Sequence, residues 1–520
     1  MAITPWMTSD QIVDSVKRKI SFPTSQDTFT NSDILAFANE EMFISQVPSV
    51  LEYHQDYFAY SIKIPLQTNT ARYPIPSRAT GMKLRDMFFV DQNGNIFEMT
   101  RIPSDDRAFF QVNTGVNQAA FSFYIEGNDV VLTPGVAPSP SGSLLMVFYL
   151  RPNQLVKNDR AATITSFSQT VLINNSLVNQ GDTLVVGNLS DFPNLITTTY
   201  TAVNTLGGTI SSILLNGTAT TTINTSAPHL LTNGQLVTIT GSDSVPSVDG
   251  TYPASVISST QFTIPIGIGV AGTTGSYTSP NQFLIGGNAS MTAANLSTAV
   301  NNTNVFYPPL QTMGATSNLG VVTFTFPNIY TGFQSSNLIG IVPTTQTITI
   351  NFDVLPSSYF DPETNQTSPL FVNGALIDFM QQRPGHKIYL YDINIPKNGI
   401  SGTSITLPQQ SLLVVSGNTG TGLQETLAAL VPGDYICLAN EAIIPQIPPD
   451  LHNALAERTS MRILAAIGDV QGVQVSNAKI QEIEQRQGNL LDNRIEGAPL
   501  KIAARHSLLR YGKFWLRWRF

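Results

Sequence analysis

Apolar residues recur at helical spacing chiefly near the two ends of the chain, and between those ends they alternate. At the start, Thr8 or Ser9 can cap a helix carrying Ile12, Val13, Val16 and Ile20, which Phe22-Pro23 ends. Thr30 followed by Asp33 is a variant capping box, with Asp in place of Glu or Gln. It predicts a helix over Asp33–Ile44 with Ile34, Ala38 and Met42 on one face, closed by Pro48. From Tyr57 the period changes to two. YSIKIPL, KLRDMFFVDQNG, FSFYIEGNDVVLTP and LLMVFYLRP read as strands, with hairpin turns at Asn93-Gly94 and Gly127-Asn128. An antiparallel barrel or sandwich over 57–157 is expected. From 161 to 345 the chain reads as almost all β, with an isolated helix at Thr292–Asn301 on Ala293, Leu296 and Val300. A second β region covers 346–440 and includes GDYICLANEAIIP. Pro448-Pro449-Asp450 then opens a helix at 450–467 bearing Leu451, Ala454, Leu455, Met461, Leu464 and Ala465, and Gly468 stops it. A last helix is predicted at 473–495 on Ile480, Ile483 and Leu490.

Length and composition add bounds. At 520 residues, the chain exceeds one ordinary core. Apolar residues make up 42% and charged residues only 12%, so polarity comes from Thr, Ser, Asn and Gln, as in turn-rich β-structure. Five His and one Cys exclude a zinc scaffold and a disulfide framework, and Cys437 reads as a small buried apolar residue. MAITPWMTSDQ lacks the ordered regions of a signal peptide, and no apolar run approaches the roughly 18 residues of a membrane span. The expectation is a soluble protein made in the host cytoplasm, or a particle assembled there.

Charge is unevenly placed. The net charge is −8, yet residues 501–520 carry Lys501, Arg505, Arg510, Lys513, Arg517 and Arg519 and no acid. No Lys or Arg lies between Arg160 and Arg383, and that stretch holds eight acids: Asp182, Asp191, Asp243, Asp249, Asp353, Asp361, Glu363 and Asp378. A domain boundary near 160 is expected there, with a charge-poor part that suits packing against copies of itself.

Enzyme chemistry finds little support. Walker A, dinucleotide-glycine, HExxH and CxxC patterns are all missing. His229 and His386 sit at strand–turn junctions and read as structural. A glycosidase needs two carboxylates facing each other across a cleft, and no pattern pairs the acids. Asp361 and Glu363 read as a solvated, Pro-flanked turn, and Asp378 has no neighbour in sequence that forms a constellation with it. The chain is read as a non-enzyme with no cofactor and no metal.

The tail KIAARHSLLRYGKFWLRWRF interleaves aromatic and basic residues. Such a mixture suits a protein hot spot, stacked nucleic acid, an acidic membrane surface, or packing on its own body. A protein partner is preferred, because an otherwise acidic body is repelled by phosphate.

TSDQIVDSVKRKI followed by TNSDILAFANEEM resembles the opening of head-to-tail connector (adaptor) proteins of tailed double-stranded DNA bacteriophages. IPSRATGMKLRDMFFVDQNGNIFEMTRIP, FYIEGNDVVLTP and FYLRPNQLV are similar to the β-domain of phage neck and tail proteins. GDYICLANEAIIPQIPPDLHNALAERTSMRILAAIGD resembles that family's closing helix pair. The likeness covers about 1–160 and 430–510. In the middle, INTSAPHLLTNGQLVTITG and VDGTYPASVISSTQFTIP resemble a small β-module of phage tail and fibre proteins. QGDTLVVGNLSDF and FLIGGNASMTAANLSTAVN look like two halves of another virion module that the first interrupts.

The resemblance implies an α+β, mainly β chain whose N- and C-terminal helices form a connector-like body, with antiparallel β-barrel or sandwich domains and inserted β-modules. The expected division is 1–56 (N-terminal helical part), 57–160 (antiparallel β-domain), 161–345 (charge-poor modules, with 218–277 nested), 346–447 (second β-domain), 448–500 (C-terminal helices) and 501–520 (basic aromatic arm). It also implies a homo-oligomeric ring, commonly dodecameric, at the virion's head–tail junction. That ring would lie between the portal protein and downstream tail or neck proteins, possibly reaching fibres. Genomic DNA would pass through an acidic channel without specific binding, and no membrane is involved. The residues expected to dock on the portal are Arg510, Lys513, Phe514, Trp515, Arg517, Trp518, Arg519 and Phe520. A tail-fibre or receptor-binding protein is the alternative, and a polysaccharide-degrading enzyme acting through Asp378 comes third.

Overall fold

A computed structural model describes residues 6–21, 29–53, 55–106, 122–133, 142–188, 198–217, 219–306, 313–326, 329, 331–333, 340–343, 346–382, 388–419 and 422–491. The fold is mainly β, 42% strand and 25% helix, with antiparallel sheets and few helices.

Local chemistry sets the helix starts. In α1 (Ser9–Lys19), Thr8 Oγ1 accepts from the Gln11 amide while the Gln11 side chain accepts from the Thr8 amide. Asp10 lies in the first turn and Lys17, Arg18 and Lys19 in the last, both favourable to the helix dipole. The Thr30–Asp33 box forms in the same reciprocal way at 2.9 and 3.1 Å and opens α2 (Asn31–Glu41). Pro48 does not close this segment. The backbone widens into a π-turn at Met42–Gln46 and continues as α3 (Val47–Tyr53). Pro48 then falls in a first turn, where its missing donor costs nothing. The isolated helix is longer than its apolar spacing predicts: α4 spans Ala289–Phe306. Asn288 Oδ1 accepts from the Met291 amide at its start, and Ala293, Leu296 and Val300 are buried.

A 3-10 turn at Pro449–Leu451 leads into α5 (His452–Ile467). Gly468, at φ 85°, ends α5 in the left-handed conformation that glycine adopts without strain. The last helix, α6 (Val470–Leu491), starts three residues earlier than its apolar pattern suggests, because Asp469 Oδ1 accepts from the Gly472 amide and caps it.

Strands 59–150 form two four-stranded sheets around a shared core that includes Tyr73, Phe123, Leu132, Met146 and Phe148. Both predicted turns are present, with Gly94 at φ 81° and Gly127 at φ 62°. A ten-stranded sheet then draws on residues 162–173, 314–352 and 376–438. Its long strand Ala162–Ile173 pairs antiparallel with Val321–Phe326, Ile341–Pro343, Thr347–Phe352 and Tyr435–Leu438. A smaller sheet places Thr198–Val203 parallel to Gln282–Leu284. Between those neighbouring strands is inserted a seven-stranded sheet over 208–278. That sheet has its own core, built on Ile213, Ile223, Val237, Phe262 and Tyr277.

Candidate functional site

Helices from both ends of the chain share one core. Ile12, Val16, Ile34, Ala38 and Met42 of the first segments meet Leu451, Leu455 and Ile463 of the last. The polar groups in this body come as matched charges. Glu457 on α5, whose side chain is 3% exposed, is held by Lys19 of α1 and by Lys479 of α6 at 3.7 Å. Glu41, 6% exposed, pairs with Arg458 at 3.5 Å and with Arg462, which also reaches Glu40, while Arg458 reaches Glu484. The Ser9 amide donates to the Ile443 carbonyl at 2.7 Å, and the Met7 amide donates to His452 Nδ1 at 3.0 Å. The first and last helical segments are therefore tied by buried ion pairs as well as by apolar packing. The outer side of α6 is largely exposed, with Ser476 and Ile480 as its buried positions among the residues whose side chains are described.

Asp378 stands in a constellation that its own sequence neighbourhood does not announce. It is fully buried, and its Oδ2 lies 2.8 Å from Arg78 Nη2, 2.7 Å from Asn153 Nδ2 and 3.1 Å from the Asn440 amide. Oδ1 accepts from the Asp392 amide at 2.9 Å. Arg78, 4% exposed, also reaches Asn153 Oδ1 at 2.6 Å and the Asn440 side chain, and stacks over Tyr391. Burial raises the pKa of Asp392 beside this cluster, an effect that Arg78 opposes. A carboxylate saturated in this way acts as a staple: it fixes the first β unit, through Arg78 and Asn153, to the large sheet.

Asp361 and Glu363 also differ from the expected solvated turn. Lys157 lies 3.5 Å from Asp361 and 3.1 Å from Glu363. Glu363 accepts from the Asn31 and Ser32 amides, at the positive end of α2. Burial alone would raise the pKa of Glu363, but its bonds to Ser32 and Lys157 outweigh that and lower it. A shallow cavity of about 250 Å³ beside these residues is lined by Leu35, Asn39, Lys157, Arg160, Tyr359 and Asp361. Its charges are already paired: Lys157 with the two acids and Arg160 with Glu441.

His229 has the structural role expected of it. The Leu231 amide donates to Nδ1 at 3.0 Å, so Nε2 carries the hydrogen and donates to the Ser258 carbonyl at 2.8 Å. Burial lowers its pKa, although the carbonyl contacts work the other way. The unfolded chain therefore takes up a proton that the folded inserted sheet resists, and stability falls as pH drops below 6.5. Hydrogen exchange in the full-length chain should show 208–278 losing protection between about pH 7 and pH 5 more steeply than the helical body. Replacing His229 with Gln should flatten that difference. Cys437 is fully buried, which pushes its thiol pKa up.

His386, His506 and the portal-docking residues Arg510, Lys513, Phe514, Trp515, Arg517, Trp518, Arg519 and Phe520 lie outside the described residues. Among the described residues, no group of three or more His, Cys, Asp or Glu is placed to hold a metal ion, and no helix is long and apolar enough to cross a membrane. The buried partners Arg78, Asn153 and Asn440 of Asp378, and the buried Glu457, escaped sequence reasoning. The one available signal was a glutamate in a helix whose other residues are apolar almost all round, which demands a partner. No protein-family model matches the chain, and no curated protein matches it.

Proposed function

We propose that this chain is a structural virion protein that assembles into a ring at the head–tail junction of a tailed bacteriophage, joins portal to tail and lines the DNA passage. The observation that carries this reading is the closure of the two ends of the chain into one helical body, locked by the Lys19–Glu457–Lys479 cluster. The same two ends carry the connector resemblance. Between them the chain supplies β units, including an inserted sheet with its own core. A ring needs a rigid body that can repeat one contact around an axis, and a helical bundle tied by matched buried charges suits that demand.

The basic aromatic arm 501–520 follows α6 in sequence and so starts close to this body. In this reading, Trp515, Trp518 and Phe520 fill pockets on the portal, while Arg510, Arg517 and Arg519 meet acidic groups there. Deleting 501–520 should weaken portal binding by at least about 30-fold, the effect of losing roughly 2 kcal/mol of anchor contacts. Undiminished binding would reject the docking role. A fibre-type or receptor-binding role is the second reading, favoured by the inserted sheet with its separate core. Native mass distinguishes the two, since a fibre assembles as three copies and a connector ring as about twelve.

A further inference from the structure

The outward face of the ten-stranded sheet is built without charge. Strands Ala162–Ile173, Val321–Phe326, Ile341–Pro343, Thr347–Phe352 and Ser404–Pro408 contain no Asp, Glu, Lys or Arg. Over most of that face the side chains satisfy one another. Thr349 and Thr406 hydroxyls meet at 2.8 Å, the Asn351 amide donates to Ser166 Oγ at 3.0 Å, and the Ser404 hydroxyl donates to Asn351 Oδ1 at 2.8 Å.

At one end of the sheet this polar ladder gives way to apolar side chains. Leu172 stands opposite Val321 on one neighbouring strand and Val342 on the other. Residues paired in this way share a face. Leu172 is 55% exposed and Val342 49%, whereas Val171, Ile173, Val322 and Ile341 on the opposite face are buried.

Beside this row is the two-residue turn Leu319-Gly320, which joins Gly314–Asn318 to Val321–Phe326. Both turn residues have positive φ, 46° and 84°. Turns of this kind favour Asn-Gly, and a leucine held there is strained. Leu319 is also 86% exposed, so its side chain contributes almost nothing to the core of its own fold. An apolar side chain that strains the backbone and is presented to solvent suits a contact made with another molecule.

We propose that the apolar end formed by Leu172, Val342 and Leu319 is a contact between adjacent copies of this chain. Charge selects the occupant. A nucleic acid or an anionic membrane needs Lys or Arg, and none occurs from 161 to 382. The chain's own basic arm needs carboxylates, and these strands hold none. Identical copies usually repel through like charge, but a neutral apolar face carries no such penalty against its own kind. The contact deepens the ring reading and rests on it for the number of copies.

The test uses the full-length chain, alone and assembled with portal, in three variants. Leu172→Glu should weaken association between copies at least tenfold in sedimentation. Leu319→Asn removes the strain, so it should keep or raise the thermal midpoint while association weakens several-fold, a combination that a purely structural leucine would not give. Leu319→Cys places a thiol on the exposed turn while the single native cysteine, Cys437, is fully buried, and a short bis-maleimide should join one copy to the next in the assembled complex. Wild-type association in both Leu172→Glu and Leu319→Asn, or cross-linking only to another protein, overturns the proposed surface and leaves the ring itself standing. A wild-type chain found as one copy both alone and with portal overturns the ring reading and the contact together.

Discussion

Replacing Asp378 with alanine is expected to remove about 3–5 kcal/mol of stability, the usual cost of stranding one member of a buried ion pair. Arg78 would remain 4% exposed with no carboxylate. The amides of Asn440 and Asp392 would lose their acceptor, and Asn153 Nδ2 would keep only the Glu441 carbonyl, at 2.9 Å, and the Met380 sulfur. Because the cluster joins the first β unit to the large sheet, both should lose hydrogen-exchange protection together, with the inserted sheet at 208–278 less affected. The pair is not expected to be worth its full Coulomb energy, since two charges were taken out of water to make it. The double variant Arg78→Met, Asp378→Leu should therefore recover much of the loss. A single Asp378→Ala variant with an unchanged denaturation midpoint would show that the staple contributes nothing.

The second large effect is expected at Glu457. It is 3% exposed and holds lysines from the first and last helical segments. Alanine there should cost about 2–3 kcal/mol, below the full value for a buried pair because Lys19 and Lys479 are partly exposed and can turn to water. The loss should appear first as fraying of α1 and α6 from α5, read by circular dichroism at the helical minimum and by earlier proteolysis near Arg18 and Lys19. Glu457→Gln keeps hydrogen bonding but not charge, and should fall between alanine and wild type. If alanine and wild type melt together, the ends of the chain are held by apolar packing alone.

Much of this architecture could be read from sequence because its causes are local. The Thr8 and Thr30 caps lie three residues from their partners, and the hairpin glycines at 94 and 127 sit within the turns they permit. Alternation marked the strands, and the apolar stripe of Ala293, Leu296 and Val300 found a helix within the β-rich middle. Distant partnerships left no such trace. Asp378 meets residues 300, 225 and 62 positions away, and Glu363 caps a helix 332 positions away, so each looked like an isolated acid. Pro48 misled for a different reason. Proline ends a helix only when a donor is needed at its position, and the π-turn before it had already restarted the count. Leu319 was missed because nothing in its sequence marks a strained turn, where Asn would have been the expected residue.

The most direct measurement of the central claim is electron microscopy of the full-length chain mixed with its portal, with the virus particle as reference. The account predicts closed rings coaxial with the portal, the helical body against it, the β units spreading outward, and matching density at the junction of head and tail. Density for this chain elsewhere in the particle, or portals left bare after mixing, would contradict it.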